Sequence, residues 1–138
     1  MKFKNLKGKT VNINVQKYLI DWDGEERSKI QFKIKQAFRP FWKTHVVCAE
    51  LPLASSRMTI DIYNASQKIA VEIQGAQHTN YNKFFHNESR ANFLSQIKRD
   101  MDKFKYCEIN DIILIEVHEN EIGDFCKEWV KERYGIEL

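Results

Sequence analysis

The chain has 138 residues, 43% of them hydrophobic, which suffices for one domain with a core, and no stretch is long or apolar enough to span a membrane. Met1-Lys2-Phe3-Lys4 leads into no signal-peptide segment, so a cytoplasmic setting is expected, and Cys48, Cys107 and Cys126, with no C-x-x-C pair, argue against a zinc ribbon or disulfide framework and read as reduced, buried thiols. The net charge of +3 is uneven: residues 1–45 carry 11 Lys/Arg against 4 Asp/Glu and residues 46–138 carry 11 against 15, so the basic first third suits a polyanion such as nucleic acid, or is an ordinary solvated face.

Residues 1–27 read as an amino-terminal extension. Val11–Val15 alternates like a strand, and Lys2, Lys4, Lys7 and Lys9 either meet phosphates or form a solvated arm. Ser28 with Gln31 makes a capping-box start for a helix. Ile30, Ile34, Ala37 and Phe38 recur at helical spacing, and Pro40 favours an end near Arg39. Lys29, Lys33 and Arg39 lie off that apolar stripe, where a phosphate backbone is within reach, while Phe41 and Trp42 read as core plugs.

Val46–Leu51 reads as a strand that feeds a hairpin through 52–57. The hairpin is the centre of the chain. Met58–Tyr63 and Lys68–Gln74 alternate apolar and polar residues about the break Asn64-Ala65-Ser66-Gln67. With both apolar sets facing the core, Asp61, Glu72 and Gln74 share one face. Paired carboxylates repel unless a cation or a shared proton relieves them, and a hard divalent ion such as Mg2+ prefers oxygen ligands. The alternative is an exposed face on which the acids are merely solvated. Glu50, at the end of the preceding strand, is either a supporting ligand or a solvated strand end.

Gly75 permits a tight change of direction that returns His78 towards the acids, as a general base, a metal ligand or a structural histidine. The loop 79–87 holds Lys83 among aromatics, which either contact nucleic acid or pack on one another. Asn87 caps a helix to about Tyr106, with Phe93, Leu94, Ile97, Met101 and Phe104 as its expected buried arc. Asp100 sits at the margin of that arc and needs a partner, either Lys103 or Arg99 or the acid site. The near-continuous apolar run Asp111–Val117 fits a strand covered on both sides. A closing helix from Asn120 buries Trp129 and Val130 and stops at Gly135. The reading is a single domain: an extension over 1–27, a core over about 28–118 and a final helix over 119–138.

This order, an α/β arrangement with a three-strand meander plus a further strand in a mixed sheet flanked by helices, resembles the restriction-endonuclease-like, or PD-(D/E)XK, nuclease superfamily. Asp61 matches its strand Asp, and Glu72-Ile73-Gln74 stands where its acid-x-Lys does. The closer resemblance is to the branch holding very-short-patch repair and phage homing-type endonucleases, where Glu50, Asp61, Gln74, His78 and Asp100 fall in order. The resemblance implies a DNA endonuclease dependent on Mg2+ or Mn2+, in a bacterial or phage-infected cell, with RNA not excluded as substrate. Asp61, Glu72 and Gln74 would be metal ligands, His78 the base, and Asp100 and Glu50 would orient it. Lys29, Lys33, Arg57, Lys83 and Lys103 are the expected phosphate contacts. Two departures from the family's pattern stand out: Gln74 replaces its usual Lys, and Gln31 replaces a Glu found on the first helix of many members. Uncompensated, these would leave the alternative, a nucleic-acid-binding or assembly protein that keeps the fold without cutting. Cutting two strands would call for a homodimer or two binding events, and specificity would come from the domain's own loops, a dimer or a partner protein.

Overall fold

A computed structural model describes residues 1–24, 29–74, 90–118 and 127–138, with backbone alone at 74 and 90–93. Strands β1 (Lys2–Lys4) and β2 (Thr10–Asn12) form a two-stranded antiparallel ribbon, and a 3-10 turn follows at Val15–Tyr18. Helix α1 (Lys29–Trp42) leads into β3 (Val47–Pro52), β4 (Thr59–Asn64) and β5 (Ile69–Gln74). Helix α2 (Arg90–Ile109) precedes β6 (Ile113–His118), and α3 (Lys127–Tyr134) closes the described chain. The main sheet runs β3-β4-β5-β6, antiparallel through β5, with β6 parallel to β5. This is a mixed α/β architecture with a four-stranded mixed sheet. No helix among the described residues is long and apolar enough to cross a membrane.

The sheet is covered on both faces. On one, Ile34, Phe38 and Trp42 of α1 and Val130 of α3 bury Ile62, Val71 and Val117. On the other, Phe3 of the ribbon and Tyr106 and Cys107 of α2 bury Tyr63 and Ala70. Alternation along β4 and β5 puts Asp61 with Tyr63 and Glu72 with Ala70, so the acids lie on the α2 side. The hairpin is therefore not half-exposed: Glu72 is 6% accessible. Its turn is tied by Asn64, fully buried, whose Oδ1 accepts from the Gln67 amide at 3.0 Å and whose Nδ2 lies 3.0 Å from His45 Nδ1.

Three expectations shift. The ribbon begins at Lys2 and puts Phe3 at 4% exposure in the core, so the amino-terminal lysines flank a packed strand rather than a free arm. Helix α1 passes through Pro40 to Trp42, because Phe38 and Trp42 stack at 4.0 Å between ring centroids and both are fully buried. That packing outweighs the hydrogen bond the proline ring removes. Most consequential is α2. Leu94, Met101 and Phe104, expected inside, are 53%, 66% and 60% exposed, and the helix turns Tyr106 and Cys107 to the sheet instead. Ser28, Asn87 and Asn120, the expected caps, lie outside the described residues, as does Cys126; Cys48 and Cys107 are buried free thiols.

A candidate active site in the fork of the hairpin

The β4–β5 ladder pairs Asn64 with Ile69, Tyr63 with Ala70 and Ile62 with Val71. One step further the register sets Asp61 opposite Glu72, and there side chains take over from the backbone. Asp61 N–H donates to Glu72 Oε1 at 3.2 Å, and Ile73 N–H donates to Asp61 Oδ2 at 2.9 Å. Each carboxylate thus satisfies a backbone amide that the opening strands leave without a ladder partner. The fork fixes both acids from behind and leaves them facing a cavity.

That cavity measures about 520 Å³. Asp61, Glu72 and Ile73 form its floor, Ser56, Arg57 and Met58 of the β3–β4 connection with Thr59 of β4 form one wall, and Gln96, Arg99, Asp100 and Lys103 of α2 form the other. Lys103 Nζ lies 2.8 Å from Glu72 Oε2, and Gln96 Nε2 donates to Asp100 Oδ1 at 3.3 Å. Burial, and secondarily the charge of Asp61, push the Glu72 carboxyl up to about 7, while the Lys103 charge and hydrogen bond pull it down. Burial also raises the neighbouring Cys107 thiol to about 12, with the Glu72 charge adding to it, so that sulfur is an inert packing group rather than a nucleophile.

The structure gathers Asp61, Glu72, Asp100, Arg57 and Lys103 around one cavity. It separates Glu50, which is exposed and absent from the cavity lining. Glu50 has a left-handed φ of 50°, and Cys48 and Leu51, three residues apart, enter the same core cluster. The left-handed Glu50 thereby breaks the alternation of β3, which runs on to Pro52 rather than ending at Glu50. Lys29 and Lys33 are exposed on α1, which packs against the other face of the sheet. His78 and Lys83 lie outside the described residues, and of Gln74 only the backbone is described, paired with His118 in β6.

Two features escaped the sequence reading. Arg99 lines the cavity beside Lys103, and the three-residue and four-residue spacing of Gln96, Arg99, Asp100 and Lys103 carried the signal for a polar inward face. His118, whose Nδ1 is buried with no hydrogen-bond partner among the described residues, ends β6 on the same strand parity as Glu116, which pairs with Glu72.

The donor chemistry fits a hard divalent cation. Asp61 and Glu72 offer facing carboxylates, and burial first, then the Asp61 charge, raises the Glu72 carboxyl. Among the described residues no group of three His, Cys, Asp or Glu that could hold a metal ion is present.

No family model matches the chain, and no solved structure gives a significant match. The chain is similar to uncharacterized protein 033L of Invertebrate iridescent virus 3, 34% identical over 85 residues that cover 61% of this chain and 43% of the relative. It is also similar to uncharacterized protein 094L of Frog virus 3 (isolate Goorha), 38% identical over 66 residues, 48% of this chain and 43% of the relative. A third relative, uncharacterized protein 307L of Invertebrate iridescent virus 6, is 35% identical over 83 residues, 56% of this chain and 42% of the relative. The chain thus spans less than half the length of these viral relatives.

Proposed function

We propose that the fork cavity is a phosphodiesterase site and that the chain is a metal-dependent DNA endonuclease on a restriction-endonuclease-like core, acting in a virus-infected cell. The observation that carries this reading is the pairing of Asp61 and Glu72 on the floor of a cavity with an arginine on each wall, Arg57 and Arg99. Glu72 is buried and Asp61 half-buried, and the amides and Lys103 that hold them leave two carboxylates opposite one another at the cavity floor. A phosphodiester bound over a metal needs that arrangement, with arginines to hold its oxygens.

Asp61 and Glu72 would hold Mg2+ or Mn2+. When bound, the ion supplies Lewis-acid charge and lowers the pKa of a coordinated water. The chain's own residues do the rest. The Ile73 amide donates to Asp61 Oδ2 at 2.9 Å and so orients that carboxylate at the cavity floor. Lys103, 2.8 Å from Glu72, offsets part of the burial that favours the protonated carboxyl, and supplies from α2 the cation that Gln74 does not supply from β5. Asp100, held by Gln96, orients groups at the α2 wall. His78 is the proposed base for the water proton.

Supercoiled plasmid incubated with Mg2+, Mn2+ or EDTA tests the proposal, comparing wild type with Asp61→Asn and His78→Ala. Asn retains an oxygen for the Ile73 amide, so lost cleavage reports chemistry rather than a loosened hairpin. Metal-dependent nicked or linear product that vanishes in Asp61→Asn supports the reading, and persistence in His78→Ala removes only the base assignment. Wild type that leaves DNA and an RNA control intact, yet binds either with or without metal, moves the chain to the non-cutting alternative.

A further inference from the structure

A second cavity, of about 370 Å³, opens at the turn end of the β4–β5 hairpin, away from the fork. Phe3 of β1 and Tyr63 of β4, 4% and 1% accessible, line it from the core side and pack edge to face, ring centroids 5.8 Å apart. The ribbon brings Lys2 and Lys4, the hairpin turn brings Lys68, and the link from α2 to β6 brings Asp111. Hydrogen bonds to the backbone fix these segments. Lys4 N–H donates to Asn110 Oδ1 at 2.7 Å and Asn110 Nδ2 donates to the Lys4 carbonyl at 2.9 Å, which clamps β1 to the end of α2. Ile113 N–H donates to the Lys68 carbonyl at 2.9 Å and ties the turn to β6. Lys68 and Asp111 both hold a left-handed φ, 58° and 55°, which a non-glycine residue keeps only where its surroundings impose it.

We infer that this cavity binds a phosphate monoester. Lys2, Lys4 and Lys68 are exposed and have no ion pair among the described residues, and Asp111 is the acid of the lining. The amino terminus turns instead to Asn12 Oδ1 and the Ile13 carbonyl, both at 3.0 Å. Three lysines less one aspartate leave an excess of two positive charges around the cavity. A phosphate monoester carries about two negative charges at pH 7, and a carboxylate ligand only one. Lysine also binds phosphate as a point charge, whereas the planar fork that pairs with carboxylates belongs to arginine, which this lining lacks. The volume falls within the roughly 300–1,000 Å³ of small-ligand pockets, so the group that carries the phosphate has room beside it. A free nucleotide and the 5′-phosphate end of a nucleic-acid strand share this chemistry. The cavity has no lining residue in common with the fork, and this inference does not rest on the nuclease reading.

Isothermal titration calorimetry of the full chain in EDTA at low salt tests it. The probes are thymidine 5′-monophosphate against thymidine, and a DNA oligomer with a 5′-phosphate against the same oligomer with a 5′-hydroxyl. The expected result is binding that requires the phosphate. Binding of the mononucleotide identifies a free ligand, and binding of the phosphorylated oligomer alone identifies a strand end. Lys4→Gln with Lys68→Gln should weaken that binding about tenfold, as the loss of two exposed ion pairs does. Lys7→Gln with Lys9→Gln removes the same charge from the ribbon outside the cavity and should leave affinity near wild type. Asp111→Asn should tighten binding several-fold, and asparagine tolerates the left-handed turn, so this variant keeps the test open if the lysine pair fails to fold. Asp61→Asn, in the fork, should change nothing. Absence of phosphate-dependent binding, an equal loss in the two lysine pairs, or no gain in Asp111→Asn overturns the site.

Discussion

Glu72 is a carboxylate that its surroundings keep close to its protonated form, and this has a measurable consequence without any metal. Burial, and then Asp61, raise it from 4.5 to about 7 against the pull of Lys103. The folded chain therefore binds this proton more tightly than the unfolded chain does. The associated stability is complete below pH 4.5 and is lost as pH rises through about 7. Glu72→Gln keeps the shape and cannot titrate. In EDTA, the wild-type melting temperature should fall relative to Glu72→Gln across that window and then hold a constant offset, about 2–8 °C for each kcal/mol at this chain size. Parallel curves from pH 4 to 9 would mean that Lys103 keeps the carboxylate fully ionised. Adding Mg2+ at pH 8 should raise wild type above its EDTA value and leave Glu72→Gln nearly unmoved. The juxtaposition of Asp61 and Glu72 was legible from alternation alone, since a hairpin with a four-residue break leaves little freedom of register. Lys103 as the partner of Glu72 was not, because it depends on which side of α2 meets the sheet.

At the scale of elements, local chemistry was easier to read than packing direction. The hairpin break was legible from the composition of Asn64 to Gln67, and the structure moves it one residue on, to 65–68, with Asn64 paired to Ile69 in the ladder. Asn64 caps the Gln67 amide and meets His45 while fully buried, and Lys68 then takes a left-handed φ of 58°. Asn64→Ala leaves that amide without its acceptor and should cost about 1–3 kcal/mol, read as a lower urea midpoint at unchanged slope. A loss below about 0.5 kcal/mol would show that the strands alone hold the turn. The end of α1 was misjudged because the proline rule is local, whereas the Phe38–Trp42 stack that carries the helix past Pro40 is tertiary. Helix α2 was misjudged for a different reason. The helical wheel grouped Leu94, Met101 and Phe104 on one arc, but that arc points away from the core that Tyr106 and Cys107 enter. Where a helix must present polar groups to a site on its own sheet, the arc goes outward, and no periodicity reveals that.

At the scale of the molecule, the uneven charge turns out to point away from the site. Much of the excess of Lys and Arg lies in residues 1–45, yet Lys29 and Lys33 are on α1, on the sheet face opposite the fork. The cations at the site, Arg57, Arg99 and Lys103, come from the later, net acidic part of the chain. A strand of nucleic acid entering the cavity would pass between Arg57 on one wall and Arg99 on the other, and neither has an ion pair within the described residues. Anisotropy of a labelled DNA oligomer in EDTA, titrated between about 50 and about 200 mM salt, separates these contributions because each phosphate contact adds roughly 0.9 to the salt slope on duplex DNA. Arg57→Ala with Arg99→Ala should lower affinity and flatten the slope by roughly two units. Lys29→Ala with Lys33→Ala should leave the slope close to wild type despite removing the same charge. The reverse result would put the nucleic acid on α1, across the sheet from the carboxylates, where a phosphodiester cannot reach Asp61.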